Sequence, residues 1–428
     1  MVRALYGLAS AGKSFSDHLS DCMRHLGYRS CRADQDLWYK ADTYPDTGEP
    51  YYRYVLLYVD DILCCGIKAT EELEALDYYF QMKPGSIGDP DIYLGNKLKP
   101  TIMENGVIAW GLSSSKYVKE AIANVERYLA TNTIGKGLKK VRTPWPAGYE
   151  AELDSSEELD GELLTFYQHL IGVLHWIVEL GRVDLITEVS VLAGYLASPR
   201  DGHMDAALHV YSFLKDKYNA RLVLDPSYPD DIDEDNFLRR DWDGYYGDVQ
   251  EEMPPDMPKP LGKDVDVRLF VDASHANDKV NRRSRTGYFV FLNKALIQWC
   301  SKKQPTVETS VFGAEFVAMK NGIECVRGIR YKLRMMGVQI SGATYVYGDN
   351  MSVIHNTQKP ESTLKKKSNS ICYHAIRESV AMGESVTGHI PSQENCADLA
   401  SKLVPSGQLR EHLVSKLLYD IYDQEDDD

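Results

Sequence analysis

Long apolar runs are missing from this 428-residue chain. Nowhere do eighteen or more apolar residues stand in a row, and no charged-then-apolar leader opens the sequence. The expectation is a soluble protein with no membrane or secretory address. Paired cysteines are missing as well. The eight cysteines (22, 31, 64, 65, 300, 325, 372 and 396) form no CxxC pair and no Cys/His finger spacing. That predicts reduced, mostly buried thiols in a cytosolic or nuclear protein. A net positive charge is also absent: the formal charge is −15, the wrong sign for a nucleic-acid partner. Its location removes most of the objection. Residues 225–257 hold 12 acids against 2 arginines, and the last nine residues, "DIYDQEDDD", hold six acids and no base. The rest of the chain is close to neutral, which leaves local basic clusters free to matter.

What is present is a globular composition, 43% hydrophobic, in a chain long enough for two or three domains. Near the start, Phe15, Leu19, Met23 and Leu26 fall at helical spacing, with Gly27 as a stop. A strand "DLWYK", a turn region at 44–50, a strand at 51–59 and a returning strand "ILCCG" follow. A helix near 69–82, a strand "DIYLGNKLKP" and the amphipathic helix "SSKYVKEAIANVERYLA" continue an α+β module. Residues 158–218 read as three consecutive helices. The acidic, proline-containing stretch 225–262 marks a boundary. Beyond it come strands at 266–273, 286–293 and 295–300, a helix from about 308, a strand at 343–348, and the short strand "SVTGHI". That order predicts one mixed-sheet domain.

Two groups of acids carry the chemistry. Asp60 and Asp61 stand side by side in "YVLLYVDDILCCG", at the expected tip of a β-hairpin. Adjacent residues of a regular strand point to opposite faces, so at a tip one can bind a cation while its neighbour tunes the field. As a bare polar turn on an apolar hairpin the pair would need no cation. The second group is Asp272 in "RLFVDAS", Glu315 in "SVFGAEFVAM", Asp349 in "TYVYGDN" and Asp398 in "NCADLASK". Each sits beside an apolar run that fixes its position. Singly, such acids are often helix caps or solvated side chains. Converging at one sheet edge, four carboxylates would repel one another unless divalent cations neutralised them, and hard oxygen donors suit Mg2+ or Mn2+. The basic clusters "KVNRRSR", "SKKQ" and "LKKK" supply phosphate-contact candidates in Arg282, Arg283, Arg285, Lys302, Lys303, Lys366 and Lys367.

The stretch from "FVDASHANDKVNRRSRTGYFVF" to "VFGAEFVAM", with "YGDNMSVIHN" and "PSQENCADLASK", closely resembles the ribonuclease H domain of copia-type retrotransposon Pol polyproteins. "YVLLYVDDILCCG" resembles the Tyr-x-Asp-Asp motif of reverse transcriptases. "RALYGLASAGKSF", "YLGNKL", "SSKYVKEAI" and "YQHLIGVLHWIVELGRVDLITEVSVLAGYLASP" follow in the order of the same family. The resemblance covers nearly the whole chain apart from the acidic insert and tail.

The resemblance implies an α+β multidomain fold. A partial palm (1–100) and a thumb with helical connection (101–224) would precede the acidic insert (225–262). A ribonuclease H-like mixed α/β domain (263–415) and an acidic tail (416–428) would follow. It implies two Mg2+ or Mn2+ ions on Asp272, Glu315, Asp349 and Asp398, and hydrolysis of the RNA strand of RNA–DNA hybrids. It implies a partial polymerase site at Asp60 and Asp61, template–primer as a further partner, association with other Pol segments, and a location in a cytoplasmic virus-like particle or the nucleus. Two departures qualify the polymerase half. The family's third polymerase aspartate lies on a strand upstream of "LYGL", and Asp34 and Asp36 are weak substitutes. The family's Lys-Gln-x-Pro-Arg stretch reads Ala9, Ser10, Ala11, Gly12 and Lys13 here. In the ribonuclease H half, Ser368 stands where the family usually has a histidine, while His374 aligns with a second family histidine. The expectation is a working hydrolase beside an incomplete polymerase; the alternative is an element-derived nucleic-acid-binding protein without activity.

Overall fold

The computed structural model describes residues 11–59, 61–132, 137–364 and 367–421. The expectations placed on Ala9, Ser10, Asp60, Lys366 and the acids after residue 421 lie outside these. The chain divides into two compact units. One holds the residues through Tyr93 with Glu252–Val265 and Arg327–Ser341; the other holds Leu94–Glu251, Asp266–Val326 and the residues from Gly342 onward.

In the first unit, α1 (Ala11–His25) places Leu19, Cys22 and Met23 on one buried face, while Phe15 is exposed. Strands β1 (Arg29–Cys31), β2 (Asp34–Thr43), β3 (Pro50–Tyr58) and β4 (Asp61–Cys65) form an antiparallel sheet in sequence order. Burial along β3 alternates, so Tyr51, Arg53, Val55 and Leu57 share the covered face. That face packs Trp38, Val55 and Leu57 on α1 and on Leu76 of α2 (Ala69–Asp77). Buried Arg53 is held by Asp42 at 2.6 Å and by Glu72, as a buried charge must be. The helix expected to reach residue 82 stops at Asp77, whose carboxylate accepts the Met82 N–H at 2.6 Å. The short strand β5 (Ile92–Tyr93) follows. Tyr54 Oη donates to the Met336 carbonyl at 3.0 Å, so the segment 327–341 returns to brace the sheet.

The second unit opens with β6 (Asn96–Ile102) and β7 (Ile108–Ser113). The single strand expected over 91–100 breaks at Leu94 and Gly95, both at positive φ (51° and 91°), a bend that glycine accommodates without strain. Helices α3 (Ser115–Thr131), α4 (Gly161–Glu179), α5 (Ile186–Ala193) and α6 (Asp201–Asp216) then lead to β8 (Arg221–Leu224), which pairs antiparallel with β7. In α4, Phe166, Tyr167, Leu170, Ile171, Leu174, Ile177 and Val178 are buried at helical spacing and join the main core. The acidic stretch that follows, with the short helix α7 (Asp243–Tyr246), is anchored by two buried aromatics, Phe237 and Trp242. Phe237 meets Tyr345 and Tyr347 edge-on at 4.9 and 5.0 Å, and Arg377 lies over Trp242 at 4.8 Å.

The mixed sheet comprises β9 (Val267–Ser274), β10 (Arg285–Leu292), β11 (Ala295–Lys303), β12 (Thr344–Gly348) and β13 (Ser385–His389), in the order β11-β10-β9-β12-β13. The first three strands are antiparallel; β12 runs parallel to β9, and β13 parallel to β12. Helix α8 (Val311–Met336) follows β11, with its residues from Arg327 belonging to the first unit. Helices α9 (Met351–Gln358) and α10 (Ser370–Ala381) connect β12 to β13, and α11 (Asp398–Ser401) and α12 (Gln408–Ser415) end the described chain. Every residue of central β9 is buried, as expected of a strand covered on both faces. The mixed α/β domain expected beyond the acidic stretch is therefore present. No helix of the described residues is long and apolar enough to cross a membrane. Among the eight free cysteines Cys22, Cys31 and Cys396 are buried, whereas Cys65, at the end of β4, is exposed.

Candidate metal centre and nucleic-acid face

Asp272 is the sixth residue of β9, Glu315 the fifth of α8, and Asp349 follows β12 directly. The strand–helix order brings ligand oxygens of these three carboxylates within 4.8 Å of one another. They line a cavity of about 410 Å³ together with His275, Asn350 and Lys402. Asp398 opens α11, and it is tied to Asp272 through a lysine. Lys402 Nζ lies 2.6 Å from Asp398 Oδ1, 3.1 Å from Asp272 Oδ2 and 3.3 Å from Asp272 Oδ1. The Ser401 hydroxyl also donates to Asp272, and the Ser392 hydroxyl donates to Asp349 Oδ2 at 2.7 Å.

Close packing sets these positions. Gly287 of β10 pairs with Asp272 across the ladder. A Cβ at Gly287 would fall 2.5 Å from the Ala400 carbonyl carbon and 2.6 Å from the Ser401 nitrogen. Only glycine lets α11 approach so closely, and that approach delivers Asp398, Ser401 and Lys402 to the site. On the other side of α11, Thr187 of α5 donates to the Leu399 carbonyl at 2.7 Å. Asn395 holds the preceding loop to β9 through the Val271 carbonyl at 3.0 Å. After Asp349, Asn350 caps α9 by accepting the Ser352 and Val353 N–H groups.

Crowding of negative charge shows in the acids' protonation. Burial, opposed by Lys402 and Ser401, raises the Asp272 carboxyl above its ordinary range. Burial and the charges of Asp272 and Asp349 raise Glu315 well above its own. Asp398 is pushed up to about 6, by burial first and by Asp272 second. Asp272 and Asp398 hold the Lys402 ammonium charged above the usual lysine range, against burial. A cluster of hard oxygens that resists carrying its full charge fits Mg2+ or Mn2+, whose binding compensates that charge.

The other candidates are distributed differently. Arg282, Arg283, Lys302 and Lys367 are exposed, and Lys303 pairs with Asp278 at 2.6 Å. Arg285 is a correction: it is buried, not a surface phosphate contact. Its Nη1 donates to Ser190 Oγ at 2.6 Å, tying β10 to α5, and burial lowers its pKa to about 10. In the first unit Asp61 begins β4, paired with Tyr58, and is exposed. Val59 ahead of it holds φ at 58°, a left-handed conformation that costs a β-branched residue. His374 accepts or donates at Nδ1 with the Tyr246 hydroxyl at 2.9 Å, and Ser368 is exposed just before α10. Sequence reasoning missed Lys402, Ser401 and Ser392. The signal for Lys402 was its place four residues after Asp398, one helical turn away.

No family model matches the chain. The Retrovirus-related Pol polyprotein from transposon RE2 of Arabidopsis thaliana is 25% identical over 403 residues, 94% of this chain and 24% of that protein. The corresponding polyprotein from transposon TNT 1-94 of Nicotiana tabacum is 25% identical over 412 residues, again 94% of this chain and 27% of its own length. The chain is related to copia-type retrotransposon Pol polyproteins. This Pol-related chain spans about a quarter of the length of those relatives. Among solved structures, the foamy viral protease-reverse transcriptase in complex with RNA/DNA hybrid aligns over 91% of the chain and 39% of its own, with a TM-score of 0.40 and 12% identity.

Proposed function

We propose that the second unit is a metal-dependent ribonuclease H, cleaving the RNA strand of an RNA–DNA hybrid. One observation carries the reading: three carboxylates from β9, α8 and the end of β12 meet within 4.8 Å, with Asp398 joined to them through Lys402. Relationship to Pol polyproteins supports it.

Asp272, Glu315, Asp349 and Asp398 would hold two Mg2+ or Mn2+ ions. Such ions, when bound, make water a nucleophile near neutral pH and stabilise charge on the leaving oxygen of a phosphodiester. The chain's own residues set the stage. Ser401 and Ser392 orient Asp272 and Asp349 by donating to their carboxylates. Exposed Arg282, Arg283, Lys302 and Lys367 offer cations to the hybrid's phosphates, with affinity that falls as salt rises. Glu315 and Asp398 must shed protons to act as ligands, so metal binding strengthens as pH rises through about 6 for Asp398.

For the first unit we infer that the 428-residue segment by itself extends primers little or not at all. Asp60 and Asp61 are adjacent in the sequence, and positioning two ions, primer and nucleotide takes ligands from more than one element. The test is purified protein on a labelled hybrid in Mg2+ and Mn2+, with Asp272→Asn as control. Hybrid binding without cleavage by either protein would favour a non-enzymatic nucleic-acid-binding role.

A further inference from the structure

The carboxylate of the fourth acid shares an ammonium group with Asp272, and that arrangement has a consequence for how ions enter. Asp272, Glu315 and Asp349 converge directly. Between Asp272 and Asp398, however, stands Lys402 Nζ, within 3.3 Å of three of their carboxylate oxygens. An ion drawing on both Asp272 and Asp398 would need the ground that the ammonium holds. Resting on the metal-dependent reading above, the geometry points to Lys402 as a tethered counter-cation that occupies the second ion's place and must leave for that ion to bind.

Charge and mobility agree with this. With all four carboxylates ionised, as ion binding requires, the cluster with its one ammonium carries −3, and a first divalent ion brings it to −1. A second would overshoot to +1 with Lys402 in place and reach neutrality only with Lys402 withdrawn. Like charges a few ångströms apart in a partly buried site repel strongly. Lys402 can withdraw because its side chain is 38% exposed, whereas those of Asp272 and Asp398 are nearly sealed, at 1% and 11%. The lysine directly follows the four-residue helix α11, whose backbone is fixed against Gly287, so exchange requires only a side-chain rotation. Lys402 is thus a positioning residue. It keeps Asp272 and Asp398 apart and paired while ions are scarce, and it makes occupancy sequential, with one ion tight and the next weak.

The test is Mn2+ binding by calorimetry and electron paramagnetic resonance on the full 428-residue chain. The parent is expected to bind two Mn2+ ions with dissociation constants at least tenfold apart. Lys402→Met should narrow that ratio at least tenfold, and Lys402→Arg should leave it wide. A second measurement uses the parent alone, so folding of a variant is not at issue. Acylation of the Lys402 amine, followed by mass spectrometry, should quicken severalfold at saturating Mn2+ but not at one equivalent. Two bound ions with an unchanged ratio in Lys402→Met, or a labelling rate indifferent to Mn2+, overturns the role of Lys402 and leaves the metal-dependent reading standing. No Mn2+ binding that Asp349→Asn abolishes would instead overturn the metal-dependent reading itself, and the role of Lys402 with it.

Discussion

Replacing Asp398 with asparagine should stabilise the metal-free protein while removing a ligand. The carboxyl is pushed from an ordinary 3.8 up to about 6, and this is net of the attraction from Lys402. At about 1.4 kcal/mol per pH unit of displacement, ionising Asp398 costs the fold about 3 kcal/mol more than it costs the unfolded chain. Asparagine keeps the shape and an oxygen that can accept from Lys402, but it does not ionise. The native state holds the Asp398 proton more tightly than the unfolded chain does. Parent stability therefore falls as pH rises through about 6 and is regained as pH drops toward 3.8. In EDTA at pH 8, urea unfolding should show Asp398→Asn more stable by about 2–3 kcal/mol, and the difference should vanish by about pH 4. Mn2+ at 1,000 times the dissociation constant of the ion that Asp398 helps to hold should reverse the order, since that ion adds about 4.1 kcal/mol to the parent. A metal-free parent more stable than Asp398→Asn at pH 8 would refute the reasoning that burial, with the charge of Asp272, penalises the ionised Asp398.

Gly287→Ala should push α11 away from β10, lowering stability by about 1–3 kcal/mol as overpacking does. It should also weaken Mn2+ binding although no ligand is touched, and calorimetry checks both. Phe237→Ala should cost the second unit about 3–5 kcal/mol in urea unfolding, because the acidic stretch is anchored by that ring between Tyr345 and Tyr347. A purely solvated insert would show no loss. Arg283→Ala should weaken hybrid binding and shorten its salt dependence by about one phosphate contact. Arg285→Ala should leave the salt slope alone and lower stability instead, which filter binding at several salt concentrations and urea unfolding would separate.

Two strands of the mixed sheet were legible because an apolar run meets a single acid. "RLFVDAS" and "TYVYGD" announce β9 with Asp272 inside it and β12 with Asp349 directly after it. The three consecutive helices of 158–218 were legible from helical periodicity, since α4 buries residues spaced three and four apart from Phe166 to Val178. Less was legible where a local pattern meets a distant partner. Arg285 sits among exposed arginines in "KVNRRSR", and only the start of β10 and the approach of Ser190 turn it inward. Lys402 looked like a helix-end lysine, because nothing local says that Asp272, 130 residues earlier, lies against it. The acidic stretch read as a spacer because its charge hid two anchoring aromatics, Phe237 and Trp242. Asp61 was visible in the sequence, but the left-handed backbone of Val59 was not, since valine gives no sign of a positive φ.

The most direct test of the central claim is cleavage of a uniformly labelled RNA–DNA hybrid by the purified chain in Mg2+ and in Mn2+. The account predicts metal-dependent cutting of the RNA strand that EDTA abolishes and Asp349→Asn eliminates while hybrid binding persists. An intact hybrid in both metals, or cutting that Asp349→Asn leaves unchanged, would contradict it.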